Sequence, residues 1–585
     1  MVNSFKAIWP FFKPYRFKLW ASIFCVVVSV IMNVLEPFVL GIAITELTQN
    51  VLDMSRGVQG AGVNYSYIFW ILVLYFIRGG FNQVATYGSN YFITQAVQAM
   101  TRDLRDAIMQ KINRLPVSYF DRHQFGDMLG RFTNDIEAIS NAAQQAIIQV
   151  VNAILSIVFV AIMMFMLQWQ LALVILISMP ISYWVAKLVI RSSQKYFKEQ
   201  ADILGRLNGF VQESLTGFNV IKLFAHEEAA REDFQDITED LYQVGFKASF
   251  LSSLTMPLVA SVSHFAYLIV AILGGVMTMA GQLTIGNLQA FTQYVWQVNQ
   301  PIQMITQLSG LVQSATAAID RVMEVLAADE EDQSYQLELT QPLSGQVTFE
   351  DVSFAYRSDQ PLIQNFSVQV QPGETVAIVG PTGAGKTTLI NLLMRFYDVD
   401  DGSIKVDGQD IRMFSRQDYR SQFGMVLQDA WLYEGSIEEN LRFGNLQASD
   451  EDLVEAAKAA NVDHFIRTLP GGYSMKMNQE SSNISLGQKQ LLTIARALLS
   501  NPKILILDEA TSSVDTRLEL LIQKAMDKLM EGRTSFVIAH RLSTIQDADR
   551  ILVMKDGQII EQGNHDSLLE AKGFYHDLYY SQFSK

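Results

Sequence analysis

The sequence predicts a membrane α-helical domain of six spans followed by a soluble α/β domain built around a phosphate-binding loop. Three observations predict it. Apolar residues concentrate in the first half of the 585 residues. The composition changes after Ala328, where Asp329-Glu330-Glu331-Asp332 opens a polar stretch. Beyond it, a strand pattern runs directly into Gly380-Pro381-Thr382-Gly383-Ala384-Gly385-Lys386-Thr387, which matches GxxxxGK[ST]. The chain is therefore divided into a membrane domain (1–328), a linker (329–345) and the soluble domain (346–585).

Composition narrows the class. Apolar residues make up 49% and charged residues only 18%, high and low for a soluble protein. The net charge is −15, from 44 basic and 59 acidic residues, with no basic tail or aromatic-interleaved basic patch, which argues against nucleic acid as a partner. The single cysteine, Cys25, rules out intrachain disulfides and thiolate metal clusters and reads as a small buried hydrophobe.

The first span, Leu19–Ile44, follows Lys6, Lys13, Arg16 and Lys18. At ~20 residues per crossing it is a retained span, longer than a signal-peptide core, with the N-terminus in the cytoplasm. Tyr67–Tyr91, Ala146–Leu167, Leu171–Ile190, Phe250–Gly275 and Thr284–Leu311 follow, the second and sixth spans being interrupted by polar residues. Six crossings return the soluble domain to the cytoplasm. Short links near Trp169 and Gly281 join the third span to the fourth and the fifth to the sixth. The opposite links, Thr101–Glu137 and Arg191–Lys247, are long and rich in Lys and Arg, which assigns them to the cytoplasm as helices continuing past the bilayer.

Ionisable residues at membrane depth are costly and each demands a reason. Glu36, beside the helix-kinking Pro37, and Arg78 fit two readings equally: contact with a substrate, or pairing with each other. His264, in the fifth span, fits either reading, with packing the favoured one. On the sixth span Gln293, Gln297, Gln300, Met304 and Gln307 share one helical face. With Phe291, Tyr294 and Trp296 they suit an adaptable binding wall, and ordinary interhelical packing gives the same pattern.

In the soluble half, Gln346–Phe354 and Glu374–Val379 read as strands. The loop after the second lets backbone N–H groups converge on phosphates, and the start of the next helix adds its dipole. Lys386 is expected at the β- and γ-phosphates, Thr387 on Mg²⁺, and Thr388 beside them. Ile504-Leu505-Ile506-Leu507 reads as a buried parallel strand ending in Asp508-Glu509. Asp508 would hold Mg²⁺, and Glu509 would orient and polarise an attacking water. ATP and Mg²⁺ are the expected cofactors.

The order and spacing of these motifs, with six spans and two long excursions, resemble half-transporters of the ATP-binding cassette (ABC) exporter family over essentially the whole chain. The resemblance implies that Tyr356 stacks on adenine and that Gln428, in Val426-Leu427-Gln428-Asp429, senses the γ-phosphate and Mg²⁺ and contacts the membrane domain. It likewise implies a D-loop at Ser512-Ser513-Val514-Asp515 and a γ-phosphate contact from His540. Coupling helices would lie at Val117–Asp127 and Ser214–His226, where the bare sequence reads equally well as solvated helical hairpins.

One motif departs from the family. Ile484-Ser485-Leu486-Gly487-Gln488 stands in place of LSGGQ, and Met477–Ser481 departs from VGExG. In the family's dimers ATP lies between one subunit's phosphate loop and the other's signature, so Ser485, Gly487 and Gln488 would face a partner's nucleotide. Leu486 places an isobutyl group where backbone approaches phosphate and is expected to strain a backbone suited to glycine. The pattern resembles the subunit of heterodimeric bacterial multidrug ABC transporters that carries the catalytic glutamate and a degenerate signature. It implies a second half-transporter with an intact LSGGQ and no catalytic glutamate. The expected function is ATP-driven export of small amphipathic compounds from a lipid-embedded position in the cell membrane, with Glu36 attracting cationic ones. Export of lipid, peptide or siderophore, or an ATP-gated channel or regulatory role, are the alternatives.

Overall fold

The computed structural model describes residues 2–582 apart from 60–61, 333, 335–336, 338, 340–342, 358, 428–429, 478–483, 509–515 and 540–541. The chain forms two units, Met1–Arg114 with His123–Ala328, and Leu115–Arg122 with Asp329–Lys585. The helices up to the linker are α1 (Val2–Phe12), α2 (Arg16–Ser55), α3 (Tyr65–Ile112), α4 (Val117–Arg122), α5 (Phe125–Gly130), α6 (Ile136–Leu167), α7 (Trp169–Thr216), α8 (Phe218–Leu223), α9 (Glu227–Ser253), α10 (Thr255–Met279) and α11 (Ile285–Ala327).

Among the described residues, five stretches of the first unit are long and apolar enough to cross a membrane: Ser4–Ser55, Tyr65–Ile112, Phe125–Leu167, Trp169–Thr216 and Glu227–Met279. The expected sixth span is a helix, α11, of 43 residues, but it does not join the apolar five. Gln289, Gln293, Gln297 and Gln300 interrupt its apolar character. The helices α3 and α7, at 48 residues each, extend about 72 Å at 1.5 Å per residue, more than twice a ~30 Å hydrocarbon core.

Local sequence sets where these helices begin. Asn64 caps α3 by accepting from the Tyr67 N–H at 3.2 Å, and Thr284 caps α11 by accepting from the Asn287 N–H at 3.1 Å. The fifth apolar segment is broken at Leu254, between α9 and α10, where Pro257 lacks the N–H that an uninterrupted helix would use. Each expected coupling segment is likewise interrupted. Gln124 is extended between α4 and α5, and Gly217 separates α7 from α8.

Small and polar side chains join the helices, as they must where water does not drive association. Ser22 donates to the Ser89 carbonyl at 2.9 Å and Ser29 to Asn82 at 2.7 Å, both between α2 and α3. At the crossing of α2 and α11, Gly41 and Gly286 bring the two backbones into direct contact, and the Gly286 N–H donates to Thr45 Oγ1 at 3.1 Å. Just before α6 lies a π-helical turn, Arg131–Asp135, in which the Asp135 carboxylate accepts two hydrogen bonds from Arg321 of α11.

Glu36 and Arg78 pair with each other. Their charged groups lie 3.0 Å apart, Arg78 also donates to the Met32 carbonyl at 2.7 Å, and Tyr75 donates to Glu36 at 2.8 Å. His264 packs edge-on against Trp296, with ring centroids 5.0 Å apart. On α11, Gln297 holds a buried carbonyl oxygen with no hydrogen-bond partner among the described groups, while Gln300 is exposed. The side chain of Gln307 lies outside the described residues.

The second unit contains β1 (Val347–Phe354), β2 (Ile363–Val370), β3 (Thr375–Val379), β4 (Asp401–Val406), β5 (Gln409–Asp410), β6 (Phe423–Val426), β7 (Gly435–Ser436), β8 (Lys476–Met477), β9 (Ile504–Asp508), β10 (Thr534–Ile538), β11 (Arg550–Lys555) and β12 (Gln558–Gly563). Its helices are α12 (Lys386–Leu393), α13 (Arg416–Arg420), α14 (Ile437–Arg442), α15 (Asp450–Ala459), α16 (Asp463–Thr468), α17 (Leu486–Ser500), α18 (Thr516–Met530), α19 (Leu542–Gln546), α20 (His565–Glu570) and α21 (Phe574–Gln582). A six-stranded sheet runs β12-β11-β3-β10-β9-β6 and a four-stranded sheet runs β2-β1-β4-β5. In the larger sheet β3, β10, β9, β6 and β11 are parallel, and the apolar runs of β9 and β10 are buried between helical layers.

Candidate functional site

The loop after β3 is set by close approach to its neighbours. Gly380 has φ +155°, and a Cβ there would lie 2.2 Å from the Met554 carbonyl oxygen on β11, so a side chain has no room. Gly385, at φ +99°, is the left-handed residue before α12. Lys386 opens that helix, and its ammonium donates to the carbonyls of Gly380 at 2.7 Å and Pro381 at 3.0 Å. Burial lowers the Lys386 pKa below the usual lysine value, against an opposing pull from Asp508.

Parallel pairing of β3, β10 and β9 brings Asp508 to this loop. Asp508 stands opposite Ile538, which stands opposite Ile378 just before the loop. The result is a cavity of about 370 Å³ lined by Thr382 through Thr388, Asp508, Leu362 and Ile538. One wall is a helix start with its backbone N–H groups, suited to phosphate. The Thr387 hydroxyl and the Asp508 carboxylate line the same cavity, a hard oxygen pair that fits Mg²⁺ completed by phosphate and water.

Tyr356 is partly exposed beside this region, with its ring edge-on to Tyr397 at 4.9 Å and to Phe354 at 5.0 Å. Asn391 of α12 donates to its hydroxyl at 3.2 Å, tying the aromatic face to the phosphate-loop helix. Within the same unit Tyr397 donates to Asp121 of α4, and burial with that acidic neighbour pushes the phenol pKa up. Asn391 and Leu362 were not legible as site residues, because only the tertiary fold carries them there.

Ser485 is the N-cap of α17 and forms a capping box. Its hydroxyl accepts from the Gln488 backbone N–H at 3.4 Å, and the Gln488 side-chain oxygen Oε1 accepts from the Ser485 N–H at 2.8 Å. The Ser-x-x-Gln spacing was the available signal for this helix start. Leu486 is the first helical residue and is absent from the positive-φ positions, so the expected backbone strain does not arise. Its isobutyl group is 43% exposed at the helix start, whereas Gly487 is buried. Arg496, on the same helix, donates to the Asn440 carbonyl at 3.0 Å and the Asn440 side chain at 2.9 Å, anchoring α17 to α14. Gln428, Glu509, the Ser512–Asp515 stretch and His540 lie outside the described residues.

A helical unit of membrane-length segments precedes a P-loop domain with a capped helix bearing a signature-like motif, and this defines a membrane transporter powered by ATP. The sequence matches the ABC transporter transmembrane region over residues 19–302 and the ABC transporter domain over residues 363–512. The chain belongs to the ABC transporter family and is an exporter whose ATP-hydrolysing domain is coupled to transport. It is 46% identical over 529 residues to the "Fatty acid ABC transporter ATP-binding/permease protein" of Mycobacterium tuberculosis, covering 90% of this chain and 84% of that protein. It is 34% identical over 516 residues to the "Probable multidrug resistance ABC transporter ATP-binding/permease protein YheH" of Bacillus subtilis, covering 87% and 76%. It is 32% identical over 587 residues to the "ATP-dependent lipid A-core flippase" of Vibrio parahaemolyticus, covering 100% and 98%.

Proposed function

We propose that this chain is one half of a heterodimeric exporter of amphipathic compounds of the multidrug type, with one consensus and one degenerate ATP site. The observation that carries the reading is Leu486: its exposed isobutyl group stands at the N-terminus of α17, the end that would cover a partner's nucleotide. In the proposal, Gly380–Thr388 cradle the phosphates of ATP, Tyr356 stacks on the base, and Thr387, Gln428 and Asp508 serve Mg²⁺. Glu509 polarises the attacking water and His540 contacts the γ-phosphate. The partner supplies an intact LSGGQ to this site and lacks a glutamate equivalent to Glu509. Ser485, Gly487 and Gln488 face the partner's slower site.

Six spans, counting α11, and a cytoplasmic N-terminus and nucleotide domain complete the arrangement. The cargo class has a second reading. Two of the relatives above are named for fatty acid and for lipid A-core, which favours a lipid-like amphiphile. The pairing of Glu36 with Arg78 weakens the expected attraction of cationic drugs to Glu36, since the carboxylate already has a cation and a phenol as partners.

Phosphate release by the purified full-length chain, alone in lipid, tests the assembly. Weak turnover alone and strong turnover on adding a half-transporter with intact LSGGQ supports it; vigorous, substrate-stimulated turnover by the chain alone overturns it. Glu509→Gln should abolish hydrolysis while ATP binding persists.

A further inference from the structure

The expected third span, Ala146–Leu167, lies in α6. At its start, a cavity of about 320 Å³ opens between α3 and α6, lined by Asn90, Asn141, Gln144, Gln145, Ile148 and Gln149. Five of the six are amides and none is charged. Gln144 donates to Thr94 Oγ1 at 2.8 Å. The side-chain amides of the other four make no hydrogen bond to any other described group of the protein. Such groups are costly beside hydrocarbon, so this face requires either water or a ligand that replaces water.

The chemistry of that ligand follows from the lining. Each amide offers a donor and an acceptor, as a hydroxyl does, and no formal charge is present to balance an ion. Glu36 and Arg78, the acid and base of the first two spans, neutralise each other at 3.0 Å. The volume lies at the low end for ligand pockets, enough for a head group and not for a whole drug-sized molecule. Its place at the end of an apolar run leaves the remainder of an amphiphile free to lie along α6.

We propose that this amide-lined cavity binds the uncharged, hydroxyl-bearing head of an amphiphilic cargo whose apolar body lies along α6. The role as a cargo site rests on the export reading; the head-group class rests on the cavity alone. Water filling without ligand selectivity is the competing account.

The test uses the full-length chain in lipid nanodiscs, purified without glycoside detergent, and a photoactivatable octyl glucoside. Labelling is expected on the peptide containing Asn141–Gln149, competed by unlabelled octyl glucoside and not by octanoate or octyltrimethylammonium. Gln145→Leu with Gln149→Leu should weaken competition about tenfold, the loss of two neutral hydrogen bonds. Gln145→Glu, which keeps the side-chain size, should admit octyltrimethylammonium as a competitor; size-exclusion profiles report whether each variant is folded. Labelling elsewhere, equal competition by the charged amphiphiles, or labelling indifferent to folded variants overturns the inference. ATP-driven movement of octyl glucoside in proteoliposomes separates the two claims. Pocket labelling without movement overturns only the export reading, and movement without pocket labelling overturns only the site.

Discussion

Replacing Leu486 with glycine removes one exposed side chain from the start of α17 and leaves the rest of that helix start in place. The capping box uses Ser485 and Gln488, both of which remain, and Leu486 already holds helical backbone angles. The helix therefore loses at most about 1 kcal/mol, the glycine penalty of an interior position. The gain is access of a phosphate oxygen to a backbone N–H. One hydrogen bond to a charged group contributes roughly 1.5–3 kcal/mol. If it forms fully in the transition state, that corresponds to roughly 10- to 150-fold in rate. The expected result is a rise of about tenfold or more in ATP turnover by the chain alone, measured as phosphate release in lipid with saturating ATP and Mg²⁺. Thermal unfolding and nucleotide binding report whether α17 and the P-loop survive the change. Unchanged turnover with fold and ATP binding intact would refute the idea that the isobutyl group obstructs the site.

Gly286→Val should destabilise the helical unit by about 1–3 kcal/mol or more, as overpacking does. A Cβ at Gly286 would lie 1.7 Å from the Gly41 carbonyl oxygen and 2.3 Å from Thr45 Oγ1, so α2 and α11 must separate. An unchanged denaturation midpoint would contradict that crossing. Glu36→Gln should destabilise by about 3 kcal/mol or less, below the 3–5 of a fully buried pair because Glu36 is 33% exposed. Adding Arg78→Leu should recover much of the loss, and a double variant less stable than Glu36→Gln alone would show that pairing is not what Arg78 requires. Lys386 gives a pH signature. Its pKa is lowered by burial, and an ATP phosphate should raise it, so binding takes up a proton on the alkaline side and weakens as pH rises through the lowered value. Calorimetry in two buffers of different ionisation enthalpy measures the uptake; Lys386→Arg, always charged, should show none.

The phosphate loop was legible because its information is contiguous: strand, glycines, lysine and helix start follow one another in the thirteen residues Thr375–Thr387. The apolar spans were legible for a related reason, since solubility in lipid is a property of each segment alone. The second and sixth expected spans were the least clear in sequence because polar residues interrupt both; in α11 the segment bearing Ala290, Phe291, Tyr294, Val295 and Val298 packs against protein, where neighbouring glutamines are tolerated. Strand β9 was legible as a buried run, but the approach of Asp508 to the loop depends on β10 lying between β9 and β3.

The sequence by itself determined the class of machine, through local runs and motifs whose chemistry needs no distant neighbour. It also showed the departure at Leu486, but it assigned strain to a residue that the folded chain holds as an ordinary helical N-terminus. Only the tertiary structure decided that Glu36 belongs to Arg78, that Gly41 meets Gly286, and that Asn90 of α3 meets the four amides of α6. Those outcomes depend on the rotation and depth at which helices cross, which packing sets between residues tens to hundreds of positions apart. Periodicity within one helix names its faces, and the neighbouring helix determines what each face touches.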